Sequence, residues 1–130
     1  ATPFEHRSFG EELALCQRYY AVVAHGASSQ DGTSHPVSMG AMYNSSTLYS
    51  NLELPCDMRT TPTLDIVSAT GYYTFYRNGG GDTLDDFALT KWGVRTIEFY
   101  NNSDVSGTGG HAGFIRTSHS TSKFAVKAEL

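Results

Sequence analysis

Five histidines (His6, His25, His35, His111 and His119) and two cysteines (Cys16 and Cys56) are the side chains with the softest metal-binding chemistry in this chain. The histidines form no H-x-x-x-H or H-E-x-x-H spacing, so each reads as a surface or loop residue. A zinc site needs several ligands in close spacing. Neither cysteine has a neighbouring Cys or His to make a pair. The two read as buried thiols that behave as small hydrophobes; a disulfide between them is the alternative that the sequence leaves open.

Harder cations prefer oxygen ligands. Asp82, Asp85 and Asp86 put three carboxylates in one short segment and are weak metal candidates. Gly80-Gly81-Asp82-Thr83-Leu84 matches one piece of a calcium-binding glycine-aspartate repeat, but such sites need stacked copies. A solvated acidic turn is the favoured reading, and no cofactor is expected. No G-x-S-x-G elbow and no phosphate-cradling loop before a helix occurs. A glycosidase pair needs two carboxyl groups a few ångströms apart across a cleft, which spacing alone does not show. The chain therefore reads as a binder and not an enzyme. Trp92 stands alone and fits either a core position or a sugar-stacking one. Tyr72, Tyr73 and Tyr76 lie along one strand, with Tyr73 facing opposite to the other two. Tyr43, Asn101, Asn102, Asp104 and His111 lie in or beside turns. These amides, rings and carboxylates are candidate ligand contacts together with Trp92, Tyr72 and Tyr73, although Asn and Asp are turn residues first.

Composition narrows the class. The chain has 130 residues, 13 glycines, 12% aromatic and 17% charged residues. That is one domain, long enough to bury about two-thirds of its unfolded surface. The profile suits strands and turns. The net charge is −4, with no basic cluster, which argues against nucleic acid as a partner. No apolar run approaches the length of a membrane span. The start, Ala1 to Arg7, lacks a signal-peptide pattern and reads as the middle of a longer polypeptide.

Ser8-Phe9-Gly10-Glu11 is a capping box, and the next residues are good helix formers. A two-turn helix is expected over 9–16; so short a helix must dock on a neighbour. Strands are expected over 18–24, 37–43, 47–54, 63–68, 72–76, 94–100, 112–117 and 123–130. Loops are expected over 26–34, 78–82 and 101–113, and 87–89 is ambiguous. About eight short strands joined by turn-rich loops predict an all-β fold: an antiparallel β-sandwich, jelly-roll-like, with one short N-terminal helix.

Three segments carry a family resemblance. The first is Ala1 to Tyr20, ATPFEHRSFGEELALCQRYY. The second is Leu54 to Leu64, LPCDMRTTPTL, which is similar to a P-x-x-M-R-x-x-P-T run. The third is the ending, FAVKAEL. Together they cover roughly a third of the chain and resemble the C-terminal domain of tailed-phage and prophage tail fibre proteins. Cys56 departs from the pattern, where an aliphatic residue is more usual. The loops at 26–35, 78–86 and 101–113 match nothing in the family. The resemblance implies residues 1–7 as a linker from an upstream fibre domain and 8–130 as a single tip domain. It also implies a homotrimer joined to the fibre shaft, located on the virion and acting outside the cell on a host-surface glycan or surface protein. Phe4, Leu13, Leu15 and Tyr19 are the expected trimer contacts. Two rivals stand beside this reading: a structural trimerisation module or intramolecular chaperone without a ligand, and a small glycan-processing enzyme.

Overall fold

The structure, a computed structural model, describes residues 8–17, 19–26 and 34–128. Phe4, His6 and the linker 1–7 lie outside the described residues, as do most of the 26–34 loop and the last two residues of the expected final strand. Helix α1 (Phe9–Gln17) is followed by β1 (Tyr20–His25), β2 (Pro36–Asn44), β3 (Thr47–Glu53), β4 (Thr63–Val67) and β5 (Tyr73–Arg77). Then come β6 (Gly80–Leu84), β7 (Ala88–Trp92), β8 (Thr96–Asn101), β9 (Ala112–Thr117) and β10 (Lys123–Lys127). The Ser8 hydroxyl accepts the Glu11 backbone N–H at 3.2 Å, so the helix starts where the capping box places it.

The strands form two antiparallel sheets, ordered β1-β10-β4 and β6-β5-β9-β2-β3-β8-β7. They enclose one core. Phe124, Val126 and Ala24 come to it from the small sheet, and Phe75, Ile115, Leu48, Ile97 and Phe99 from the large one. The all-β sandwich is thus as expected, with ten strands among the described residues where the local pattern predicts about eight. Period-2 alternation sets the faces: in β8, Ile97 and Phe99 are buried while Thr96 is exposed and Glu98 and Tyr100 half-exposed. Phe87 meets Tyr73, Phe99 and Phe124 edge-on at ring distances of 5.2, 5.3 and 6.0 Å.

Two strands differ from the expectation. Residues 78–82 are not a loop. Asn78 (φ 50°) and Gly79 (φ 79°) form a two-residue turn, and Gly80 to Leu84 return as β6 against β5. Both positive φ values suit a type I′ hairpin, which Asn-Gly favours because its twist matches the strands. The run of glycines after the turn obscures that signal. Residues 88–92 form the edge strand β7, paired with β8. Gly113 marks a close approach of strands: a Cβ there would lie 2.0 Å from the Tyr76 carbonyl oxygen.

The small sheet is sealed on its outer face by a polar triad. The Tyr20 hydroxyl donates to Asp65 Oδ2 at 2.7 Å, and Lys123 Nζ donates to the same oxygen at 2.9 Å. These side chains stand around Ala125, which is buried although it faces outward on the central strand. The Tyr20 hydrogen bond, then the Lys123 hydrogen bond, hold the Asp65 carboxyl below its ordinary value of 3.8. Lys123 is raised above 10.5, first by Tyr20 and then by Asp65. Asp65 thus adds stability above its unfolded pKa, which is lost as pH falls through the folded value. The Lys123 contribution is present below 10.5 and lost as pH rises through its folded value. Asp65→Asn is expected to lower the melting temperature at neutral pH, with variant and wild type converging in acid below the folded Asp65 pKa. Thermal melts from strong acid to mild alkali test this; curves offset equally at every pH would refute it.

Candidate binding face on the seven-stranded sheet

The outer face of the large sheet carries the candidate site. One row of cross-strand neighbours runs Ala112, Ala41, Tyr49, Tyr100, Ala88. The alanines leave the two tyrosine rings open along their sides. Tyr43, at the end of β2, adds a third ring: it meets Tyr49 edge-on at 5.7 Å, and Tyr49 meets Tyr100 at 6.0 Å. Tyr43 is 75% exposed. A polar row lies alongside, in which Glu98 faces Asn51 on one side and Lys91 on the other.

Two open depressions meet at this polar row. One, of about 440 Å³, is lined by Tyr43, Tyr49, Thr90, Lys91 and Glu98. The other, of about 380 Å³, is lined by residues including Asn51, Lys91, Trp92, Thr96 and Glu98. Trp92 ends the edge strand and is 52% exposed, so it is not a core residue. A small hollow of about 100 Å³ lies beside Tyr100 and is bordered by Asn102. Rings next to amide, carboxylate and ammonium groups offer apolar faces and directed hydrogen bonds together, the combination that binds a polyhydroxylated ligand.

The predicted ligand residues divide. Tyr43, Trp92 and Asn102 border this face. His111 stands close by: its backbone carbonyl accepts the Met42 N–H at 2.8 Å, while its ring Nδ1 is buried without a hydrogen-bond partner among the described residues. Tyr72 lies at the opposite end of β9, where its ring stacks on His119 at 4.2 Å and its hydroxyl accepts from Thr121 at 2.9 Å. Tyr73 must be corrected, because it is fully buried. Its hydroxyl lies 2.8 Å from the Lys123 carbonyl and 2.9 Å from that of Val67, linking the two sheets. Burial pushes that phenol far above its ordinary pKa.

Asn101 and Asp104 are also corrected. Asn101 is buried and its Nδ2 donates to the Asp86 carbonyl and to Asp104 Oδ1, both at 2.7 Å. Its Oδ1 faces the backbone N–H groups of Ser103, Asp104 and Val105 at 3.2–3.3 Å. Asp104 Oδ2 accepts the Asp85 N–H at 2.8 Å. These side chains build the loop and their polar atoms are bonded within it, although Asn101 also lines the small hollow beside Tyr100. The three acidic candidates serve the same end: Asp82 accepts from Ser106 N, Asp85 from Gly71 N and Asp86 from Phe87 N. Among the described residues no group of three His, Cys, Asp or Glu is placed to hold a metal ion.

Leu13, Leu15 and Tyr19 are exposed, as a docking surface requires. Cys16 and Cys56 are not joined to each other; Cys16 is exposed and Cys56 half-buried, which corrects the expectation of two buried thiols. Among the described residues no helix is long and apolar enough to cross a membrane. Sequence reasoning passes over Tyr49, Tyr100, Asn51, Lys91 and Glu98. The alternation in β3 and β8 puts these strands' residues on outward faces, but only the β3–β8 pairing puts the two tyrosines side by side. Compared with family models, curated proteins and solved structures, the chain matches none.

Proposed function

We propose that this chain is the receptor-binding tip domain of a phage tail fibre, acting as a homotrimer that attaches the virion to a host surface glycan. The observation that carries the binding role is the Tyr43–Tyr49–Tyr100 row beside the Asn51–Glu98–Lys91 row, open to solvent on one sheet face. The three sequence segments that resemble tail fibre C-terminal domains support its setting. Sugar C–H faces would lie on the rings, and hydroxyls would bond the polar row. Three shallow sites on one trimer would raise a weak single-site affinity through avidity. Binding to a panel of bacterial surface polysaccharides tests this. Tyr43→Ala and Tyr49→Ala are each expected to weaken retention of the bound polysaccharide by about 10- to 30-fold, the effect of losing a hot-spot ring. No retention of any polysaccharide, or full retention by both variants, would overturn the reading.

The rival is a trimerisation module without a ligand. The exposed apolar side chains of α1 favour it. In that case substitutions on the tyrosine row would leave adsorption to host cells unchanged.

A further inference from the structure

The polar row on the large sheet does not end at Asn51. Gly40 of β2 pairs with Ser50 of β3, which puts Met39 next to Asn51. Met39 pairs with Phe114, Phe114 with Tyr76 and Tyr76 with Gly81, so the row that starts at Lys91 crosses all seven strands. At the usual spacing of strands it is about 29 Å long. Its second half is apolar: Met39 is 63% and Phe114 50% exposed. A Cβ at Gly81 would lie 3.4 Å from Tyr76 Cε1, so the glycine keeps that edge of the ring open. A third depression, of about 390 Å³, lies at this end and is lined by residues including Tyr76, Gly81, Ala112 and Phe114. Ala112 also ends the tyrosine row, so the two halves of the face are continuous. Arg116 stands two residues after Phe114, on the same side of β9. Its guanidinium is 4.9 Å from the Tyr76 ring centre and 5.8 Å from that of Phe114. Among the described residues no carboxylate pairs with it. Glu98, the carboxylate of the row, stands three strands away with Lys91 beside it.

We propose that the Phe114–Tyr76 end of this face is a second sugar subsite, specific for an acidic residue whose carboxylate binds Arg116. The inference rests on the glycan-binding reading and names the class of polymer: an acidic polysaccharide, laid across the strands from the tyrosine row to Arg116. Two features fix that class. A uronic-type sugar carries its carboxyl group on the ring itself, so an apolar C–H face and a negative charge lie within one residue. The subsite offers the complement at the same scale, two aromatic rings with an unpaired guanidinium against them. A guanidinium binds a carboxylate through two parallel hydrogen bonds, and contact with the rings holds it in place to do so. The second feature is length. A single sugar fills one depression, whereas an extended polymer engages both ends of the row. Once one end is bound, the second contact is intramolecular and gains from the high local concentration of the tethered chain.

The experiment takes the soluble bacterial surface polysaccharides that the 130-residue chain retains and compares each acidic one with its own carboxyl-reduced form. Wild type is expected to hold the acidic polymer about tenfold or more tighter than the reduced one, the effect of one charge-assisted pair, and to lose part of that preference as salt is raised. Arg116→Gln is expected to abolish the preference, to hold the reduced polymer as wild type does, and to leave the far-ultraviolet circular dichroism unaltered. Arg116→Lys keeps the charge without the fork and is expected to fall between the two. Retention of neutral polysaccharides alone, an acidic polymer held no tighter than its reduced form, or a preference that survives Arg116→Gln would each overturn this subsite and leave the tyrosine-row reading standing. No retention of any polysaccharide would overturn both.

Discussion

Phe99→Ala is expected to destabilise the protein by about 3–5 kcal/mol, the range for truncating a buried phenylalanine. In a domain of this size that is a fall in melting temperature of roughly 10–20 °C. The reason lies in its position. Phe99 is fully buried on β8, 4.8 Å ring to ring from Phe124 of the small sheet and 5.3 Å from Phe87. It is therefore a contact between the two layers and not only within one. Removing the ring leaves a cavity that the flanking strands cannot close, because β8 is held on both sides, by β3 and β7. Phe99→Leu keeps most of the volume and is expected to cost less than half as much. Urea unfolding followed by circular dichroism gives both values; a loss under about 1 kcal/mol for the alanine variant, well below the usual range for such a truncation, would mean that the layers do not meet there.

This part of the fold is legible in the amino-acid pattern. Alternation in 94–100 puts Ile97 and Phe99 on one face, and that face is the core. The Ser8 cap, the turn at Ser45 and Ser46 and most strand bounds follow from local chemistry. What escapes is non-local. The hairpin at Asn78-Gly79 is hidden by the glycines after it, since Gly80 and Gly81 read as flexible chain until β5 supplies a partner. In β7, Ala88 to Trp92 shows no clean period because a register shift between Leu89 and Lys91 interrupts it.

The candidate site is less legible for the same reason. Tyr43 and Trp92 stand out by side-chain type, and both are exposed. Tyr49 and Tyr100 are 51 positions apart in the sequence and become neighbours only through the pairing of β3 with β8. Asn101, Asp104 and Tyr73 fail in the opposite direction. Each is a polar group expected at a surface, and each is consumed by internal hydrogen bonds that only the folded chain supplies. A lone sequence shows which groups are able to bind a ligand, but not which of them the backbone claims first.

Asn101 allows a direct test of that distinction. Asn101→Ala is expected to cost about 2–4 kcal/mol, because it strips partners from buried groups and offers none in return. The Val105 N–H loses its side-chain acceptor, and Asp104 Oδ1 loses an amide donor 2.7 Å away. With Asp104 unsettled, its bond to the Asp85 N–H weakens and the joint between the 101–105 turn and the β6–β7 connection loosens. Asn101→Asp is the sharper variant. It keeps the shape and the acceptor for Val105 but puts a second carboxylate against Asp104. Two such groups share a proton more readily than they both ionise, so one carboxyl pKa rises above its ordinary value. The variant is therefore expected to be least stable at neutral pH and to recover toward wild type as pH falls and one carboxyl takes up a proton. A ligand-contacting Asn101 would instead leave stability nearly unchanged in both variants and weaken polysaccharide retention. Melting curves in mild acid and at neutral pH, set beside retention measured on the folded fraction, separate the two roles.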